Sequence, residues 1–268
     1  MNISERKVLY VGHETEITNH AAALIISEAY RAVEDHGRFS LVLAGGNSPR
    51  FLYEKLAQGV TTDILERYAL SVPNSISGSK QNIHPLPPNT WLFQGDERCV
   101  PFDHPDSNYR MVKESLLLHS GIAKDHFFRM AGENSDTELA ARAYEDAIRT
   151  FFKSEEGLQE DDFPVFDLIV LGLGEDGHTA SLFRDNTEAL QEEKRWVITV
   201  NAPRAKPPGM RLTITIPVIN HARNVLFFTN GRKKGDLANK IFLEEEKGVP
   251  ASFVNPENGR LFWFAAQP

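Results

Sequence analysis

Residues 165–183 read VFDLIVLGLGEDGHTASLF. Val165 to Leu171 is strongly apolar, the pattern of a strand buried on both faces of a parallel sheet. The chain leaves that strand through Gly172-Leu173-Gly174-Glu175-Asp176-Gly177-His178, so three glycines deliver a carboxylate and an imidazole. Ligands of open α/β sheets bind beyond the carboxyl ends of the strands. Asp176 and His178 fall at such an end. Histidine titrates near neutrality, so His178 suits taking a proton from water and returning it to a leaving group.

Two local patterns alternate on either side of this stretch. Residues 16–36 carry apolar positions at helical spacing, from Ala21 and Ala22 to Ala32 and Val33, and Gly37 stands where a helix ends. Phe39 to Leu43 reads as a buried strand; a helix then runs through Ala57, with Ser48 as its cap and Pro49 as its first residue. Further strands are expected at Trp91–Phe93, Trp196–Val200, Arg211–Ile216, Val225–Thr229 and Leu261–Phe264. Helices are expected from Ser107 to Leu118, from a capping box at Ser135-Asp136-Thr137-Glu138 to about Phe152, and over Lys234–Lys247. Residues 71–90 are rich in Ser, Asn, Pro and Gly and read as an exposed loop; Ser154–Asp162 reads as an acidic loop. Strands separated by helices predict an α/β fold: a Rossmann-like, mostly parallel sheet with helices on both faces, in a single large domain over residues 1–268.

Four loops at strand ends then hold the polar chemistry. Ala44-Gly45-Gly46-Asn47-Ser48-Pro49 brings backbone N–H groups and a helix start, which suit a phosphate. It lacks the Gly-Lys-Ser/Thr of a Walker loop. Gln94 to Pro101 holds Asp96, Glu97 and Arg98; Arg98 suits either a phosphate or a developing oxyanion, and the two acids suit holding Arg98 or acid–base work. Gly172 to Gly177 matches G-x-G-x-x-G, but the next strand runs into Asn201-Ala202-Pro203 where a dinucleotide fold needs a ribose-binding acid. The loop after Val200 sets Arg204, Lys206 and Arg211 among three prolines and a glycine.

Composition removes several classes. The formal charge is −8 on 268 residues and the longest basic run is Arg232–Lys234, read as a solvated turn, so no nucleic-acid partner is expected. An anionic substrate must therefore be gripped by a local cluster of cations against the general field. Cys99 is the sole cysteine, which removes disulfides and multi-cysteine zinc sites. There is no H-E-x-x-H and no G-x-S-x-G, and metal dependence is not expected. No stretch reaches the roughly 18 apolar residues of a spanning helix; no secretory signal is visible, and a cytoplasmic protein without membrane contact is expected.

Taken together, the four segments resemble the 6-phosphogluconolactonase family, within the wider glucosamine-6-phosphate isomerase/6-phosphogluconolactonase superfamily. That family carries S-G-G-S-T-P, D-E-R-x-V-P followed by S-N, G-x-G-x-D-G-H-T-A-S-L-F, and K-P-P-x-x-R before an alternating strand. Here stand Gly45-Gly46-Asn47-Ser48-Pro49, Asp96 to Pro101 with Ser107-Asn108, Gly172 to Phe183, and Lys206-Pro207-Pro208-Gly209-Met210-Arg211, in that order. Ala44 and Asn47 depart from the usual serines, Arg184-Asp185 stands where Pro-Gly is frequent, and 71–90 is longer than usual. Glucosamine-6-phosphate deaminases follow their D-G-H with Ile-Ala-Phe-Asn-Glu-Pro, whose glutamate serves ring opening; Thr179 to Arg184 holds no glutamate.

The resemblance implies an enzyme that hydrolyses 6-phospho-D-glucono-1,5-lactone in the pentose phosphate pathway, with no cofactor and no metal. It implies His178 as the base that activates water, Asp176 as a group that tunes or orients the site, and Arg98 beside the carbonyl or the phosphate. Gly45, Gly46, Asn47, Ser48, Asp96, Lys206 and Arg211 are the implied substrate- and phosphate-binding set. The expected partner is a small sugar-phosphate lactone, and the expected state a monomer or homodimer. A sugar-phosphate-binding regulator without turnover is the alternative from another class, and the intact Asp176-Gly177-His178 argues against it.

Overall fold

The computed structural model describes residues 6–72, 81–156 and 162–267. Its frame is a seven-stranded sheet built from β1 (Lys7–His13), β2 (Phe39–Leu43), β5 (Thr90–Gln94), β7 (Phe127–Phe128), β8 (Leu168–Leu171), β11 (Asn224–Asn230) and β12 (Arg260–Gln267). The order is β1-β12-β11-β8-β2-β5-β7 and every pairing is parallel. This is the predicted parallel α/β architecture. It extends one strand further at each edge than the sequence suggested. The short runs at Val8–Val11 and Phe127–Phe128 are recruited by pairing with β12 and β5.

Alternate residues of each strand feed opposite cores, as the two-residue repeat of a strand demands. Val42, Ile169, Leu171, Phe227 and Trp263 pack on one face with Tyr144, Ile148 and Phe152 of α5 (Thr137–Glu156). Leu41, Leu43, Val170, Leu226 and Phe228 pack on the other with α1 (Glu14–His36) and with Leu52, Tyr53 and Leu56 of α2 (Asn47–Gln58). α1 ends at Gly37, whose φ of 85° is the left-handed stop that the sequence marks.

The strands expected at 196–200 and 211–216 do not join this sheet. They form β9 (Val197–Ala202) and β10 (Gly209–Ile214), an antiparallel pair that takes Asp96–Arg98 (β6) as its third strand. Gly95 makes the change of sheet: its N–H donates to Leu43 O of the main sheet at 2.9 Å, while its carbonyl accepts from Ile214 N at 2.9 Å. Residues 96–98 and 209–214 therefore sit over the carboxyl ends of β2 and β5.

Several local expectations shift. α2 is capped by Gly46, at φ 97°, so Ser48 lies inside the first turn instead of before it. Asp136, not Ser135, caps α5, accepting from Leu139 N at 2.9 Å. Ser107 does cap α4 (Asn108–Val112), but the helix continues as one π turn, Lys113–Leu117. The helix placed at Lys234–Lys247 is α8, Arg232–Phe242, so the basic run is its first turn and not a loop. Within 71–90, residues 73–80 lie outside the described set. The rest is only partly exposed: Ile83–His84 (β4) pairs with Val60–Thr61 (β3), and His84 and Leu86 are buried. Of the acidic loop, 157–161 lie outside the described residues. No helix among the described residues is long and apolar enough to cross a membrane.

The amino ends of the strands are tied by buried charge. Asp167, at the entrance to β8, accepts from Ser40 N and Ser40 Oγ, both at 2.8 Å, and its other oxygen lies 3.0 Å from His36 Nε2 and 3.3 Å from Arg223 Nε. Asn224 Nδ2 donates to Asp167 O at 2.9 Å, joining β11 to the same knot. Asp167→Ala strands the Ser40 donors, the His36 ring nitrogen and the Arg223 guanidinium, and should lower stability by about 2–4 kcal/mol. Urea unfolding monitored by circular dichroism measures the loss.

Candidate active site

The turn after β8 is built around the Asp176–His178 pair. Gly174 N donates to His178 O at 2.9 Å and Gly177 N to Gly174 O at 3.1 Å, folding the segment back on itself. Gly177 has φ 81°, and a Cβ there would lie 2.6 Å from Val249 Cβ, so the position takes only glycine. Ala251 N donates to Gly177 O at 3.0 Å and braces the turn from a distant segment. A Cβ on Gly174 would lie 2.1 Å from His178 Nδ1; the imidazole occupies the room that glycine leaves.

Asp176 Oδ1 lies 2.5 Å from His178 Nδ1 and accepts from His178 N at 3.2 Å. The hydrogen bond with His178 holds the Asp176 carboxyl down to about 2, against the opposing effect of partial burial. An ionised Asp176 accepts a hydrogen bond from Nδ1–H, which keeps the proton on Nδ1 and leaves Nε2 as the free acceptor. The Phe183 ring stands 4.8 Å from the imidazole, centroid to centroid. The sequence left open whether Asp176 and His178 touch; in the structure they are in direct contact.

A second cluster locks neighbouring loops to this turn. Asp96 Oδ2 accepts from Ser181 Oγ at 2.7 Å, and Asp96 Oδ1 and O accept from Asn108 Nδ2 at 3.1 and 2.9 Å. Asn108 fills the space beside Gly45, where a Cβ would lie 1.9 Å from its Oδ1. Glu97 is buried and accepts five hydrogen bonds, from Gln94 Nε2, Ser107 Oγ and the N–H groups of Arg98, Asn108 and Tyr109. Burial pushes the Glu97 carboxyl up, and those hydrogen bonds partly restrain it. Arg98 itself donates to Asp106 O at 2.5 Å and, among the described residues, joins no ion pair.

Two cavities meet at His178. A narrow one of about 140 Å³ is lined by Gly45, Gly46, Asn47, Ser48, Asp96 and Arg98. A wide one of about 900 Å³ is lined by Phe183, Arg184, Arg204 and Lys206. Gly174, His178 and Lys234 line both. The structure thus gathers most of the expected residues but divides them. Lys206, grouped by sequence with the glycine loop, lies across His178 from it. Arg211 lines neither cavity: it is buried on β10 opposite Arg98, and its guanidinium donates to Pro207 O. Burial and the Arg98 charge lower its pKa. Lys234 was missed. Its signal was present, because Gly231 ends β11 as Gly45-Gly46 ends β2, and a helix follows each. Among the described residues no three His, Cys, Asp or Glu side chains cluster in a way that could hold a metal ion.

The sequence model of the glucosamine-6-phosphate isomerases/6-phosphogluconolactonase family matches residues 12–263. This chain belongs to that family. The 6-phosphogluconolactonase of Synechocystis sp. is 38% identical over 253 residues, 94% of this chain and 91% of the relative. The probable 6-phosphogluconolactonase 1 of Arabidopsis thaliana is 36% identical over 89% of this chain and 82% of its own. Among solved structures, 6-phosphogluconolactonase from Trypanosoma cruzi superposes with a TM-score of 0.74 at 28% identity, covering 97% of this chain and 93% of that one. The Thermotoga maritima 6-phosphogluconolactonase gives 0.74 at 25% identity over 97% and 99%. The sheet order and the paired turn described above are thus those of a chain of this family.

The Asp176 shift fixes a pH window. A carboxyl whose folded pKa is depressed from 3.8 to about 2 contributes stability that is complete above the ordinary value and is lost as pH falls through about 2. A carbon-13 titration of the Asp176 carboxyl should place its midpoint near 2 in the native protein and return it to the ordinary range in His178→Ala.

Proposed function

We propose that this chain hydrolyses 6-phospho-D-glucono-1,5-lactone to 6-phosphogluconate, with His178 as a metal-independent general base. The observation that carries the reading is the Asp176–His178 pair, set at the meeting point of two cation-lined cavities. His178 Nε2 takes a proton from water as the water oxygen attacks the lactone carbonyl. The ring oxygen leaves when the tetrahedral intermediate collapses, and the same proton returns to it. Asp176 holds the imidazole in the tautomer that this requires and stabilises the imidazolium that forms between the two steps.

The narrow cavity suits the phosphate. Gly46 starts α2 without a side-chain cap, so the first N–H groups of the helix are free of intrahelical partners and face an anion. Arg98 and Lys234 add positive charge at the same place. Asp96 shapes this wall through Ser181 and Asn108, and Arg211 backs Arg98 from β10. With the phosphate there, the lactone carbonyl lies beside His178 and opens toward Lys206, which is placed to meet the charge growing on the carbonyl oxygen. The phosphate is remote from the reacting carbon, and its binding energy positions the ring for attack.

The first test is hydrolysis of freshly generated lactone, coupled to 6-phosphogluconate dehydrogenase and corrected for the spontaneous rate, with and without EDTA. Acceleration that survives EDTA supports the reading; folded protein that gives only the spontaneous rate removes it. His178→Ala should cost roughly 100- to 10,000-fold in kcat, the usual scale for a general base. The two cavities separate two further variants. Arg98→Ala should chiefly raise KM, while Lys206→Ala should chiefly lower kcat. The opposite pattern would exchange the ends of the substrate.

A further inference from the structure

Hydrolysis changes the charge at the reacting carbon. The lactone is neutral there, whereas the acid formed carries a carboxylate that is ionised at neutral pH. On the placement proposed above, on which this inference rests, that carbon lies beside His178 and faces the wide cavity. The wall of that cavity continues from His178 through Phe183, in ring contact with the imidazole, to the exposed Arg184. The charged neighbours differ in how they are engaged. Arg204 is held 3.4 Å from Asp185, Glu175 lies 3.9 Å from Lys233, and Asp176 is taken by His178. Arg184, Lys206 and Lys234 have no carboxylate at ion-pair distance among the described residues, and of these three Arg184 alone carries a guanidinium. It is also a residue of the Arg184-Asp185 pair that the sequence set apart from the family pattern.

We infer that Arg184 is a ligand for the carboxylate of the product, and that it makes this enzyme hold 6-phosphogluconate more tightly than the same phosphate on an uncharged chain. A guanidinium offers a planar pair of donors that matches a carboxylate, and a lactone presents no charge for it to meet. The consequence is product inhibition set by a residue that takes no part in the proton transfers.

Calorimetric titration of the full chain with 6-phosphogluconate and with sorbitol 6-phosphate tests this. The second ligand keeps the phosphate and the six-carbon chain but has an alcohol where the acid has its carboxylate. The native protein should prefer the acid by about 5- to 20-fold, the scale of one charge-assisted contact at a partly exposed site. Arg184→Gln should remove most of that preference by weakening the acid, and Arg184→Lys should restore part of it. In steady-state assays the ratio of the product Ki to the substrate KM should rise about tenfold in Arg184→Gln, following from the same contact. A preference that persists in Arg184→Gln, or native protein that binds the two ligands equally, overturns the inference and leaves the lactonase reading intact. Binding of neither ligand overturns the sugar-phosphate reading itself, and this inference with it.

Discussion

The buried carboxylate of Asp96 is the joint on which the site depends. It stands one residue after the glycine that moves the chain from the large sheet to the small one, and its two oxygens receive Ser181 and Asn108. Ser181 belongs to the loop after β8, and Asn108 opens α4 and presses against Gly45 of the loop after β2. Three loops that are far apart in sequence are thereby fixed around one side chain. A buried polar atom left without its partner costs about 1–3 kcal/mol, so losing one of these contacts destabilises the whole cluster. The position of His178, three residues before Ser181, is inherited from that joint.

Charge at the site is arranged by deciding which acids are already occupied. Arg98 sits next to two carboxylates in the sequence, and an ion pair within the segment is the simplest expectation. The fold sends both carboxylates elsewhere. Glu97 receives three backbone N–H groups, an amide and a hydroxyl, and Asp96 receives Ser181 and Asn108. Among the described residues the Arg98 side chain is held only by a backbone carbonyl, so its charge remains available to an anion. The same holds for Lys206 and Lys234, neither of which has a carboxylate at ion-pair distance among the described residues. On the proposed function, a chain of net charge −8 binds an anion here because the acids near the cavity are engaged in hydrogen bonds and ion pairs of their own.

What the sequence revealed and what it hid follow from the range of the interactions involved. The strand ending at Leu171, the left-handed stop at Gly37 and the placing of Asp176 and His178 on one strand-end loop are local, and each was legible from a few neighbouring residues. The assignment of residues 197–214 to a separate antiparallel sheet was not legible. It depends on pairing with Asp96–Arg98, about a hundred residues earlier, and no periodicity reports that. Arg211 illustrates the cost. Its motif placed it near the phosphate, but the register opposite Arg98 buries it in the wall. Lys234 shows the reverse error. A short basic run reads as a surface turn until β11 is seen to end beside β8, which brings the first turn of α8 to the cavity.

The two ends of the sheet solve opposite problems with the same residue types. At the amino ends, Asp167 and Glu28 are buried, and their charges are met by Arg31, Arg223 and Arg260, with His36, Ser40 and Asn224 as further hydrogen-bond partners. Such a knot presents little unmatched charge to a ligand. At the carboxyl ends the acids are matched by neutral donors, by one imidazole or by rim cations, and among the described residues Arg98, Arg184, Lys206 and Lys234 are left without acid partners. Unpaired cations repel one another and contribute nothing to folding until an anion arrives. The large apolar cores on both faces of the sheet and the satisfied knot at its far end permit the fold to carry that open charge, so stability and ligand binding are assigned to opposite poles of one sheet.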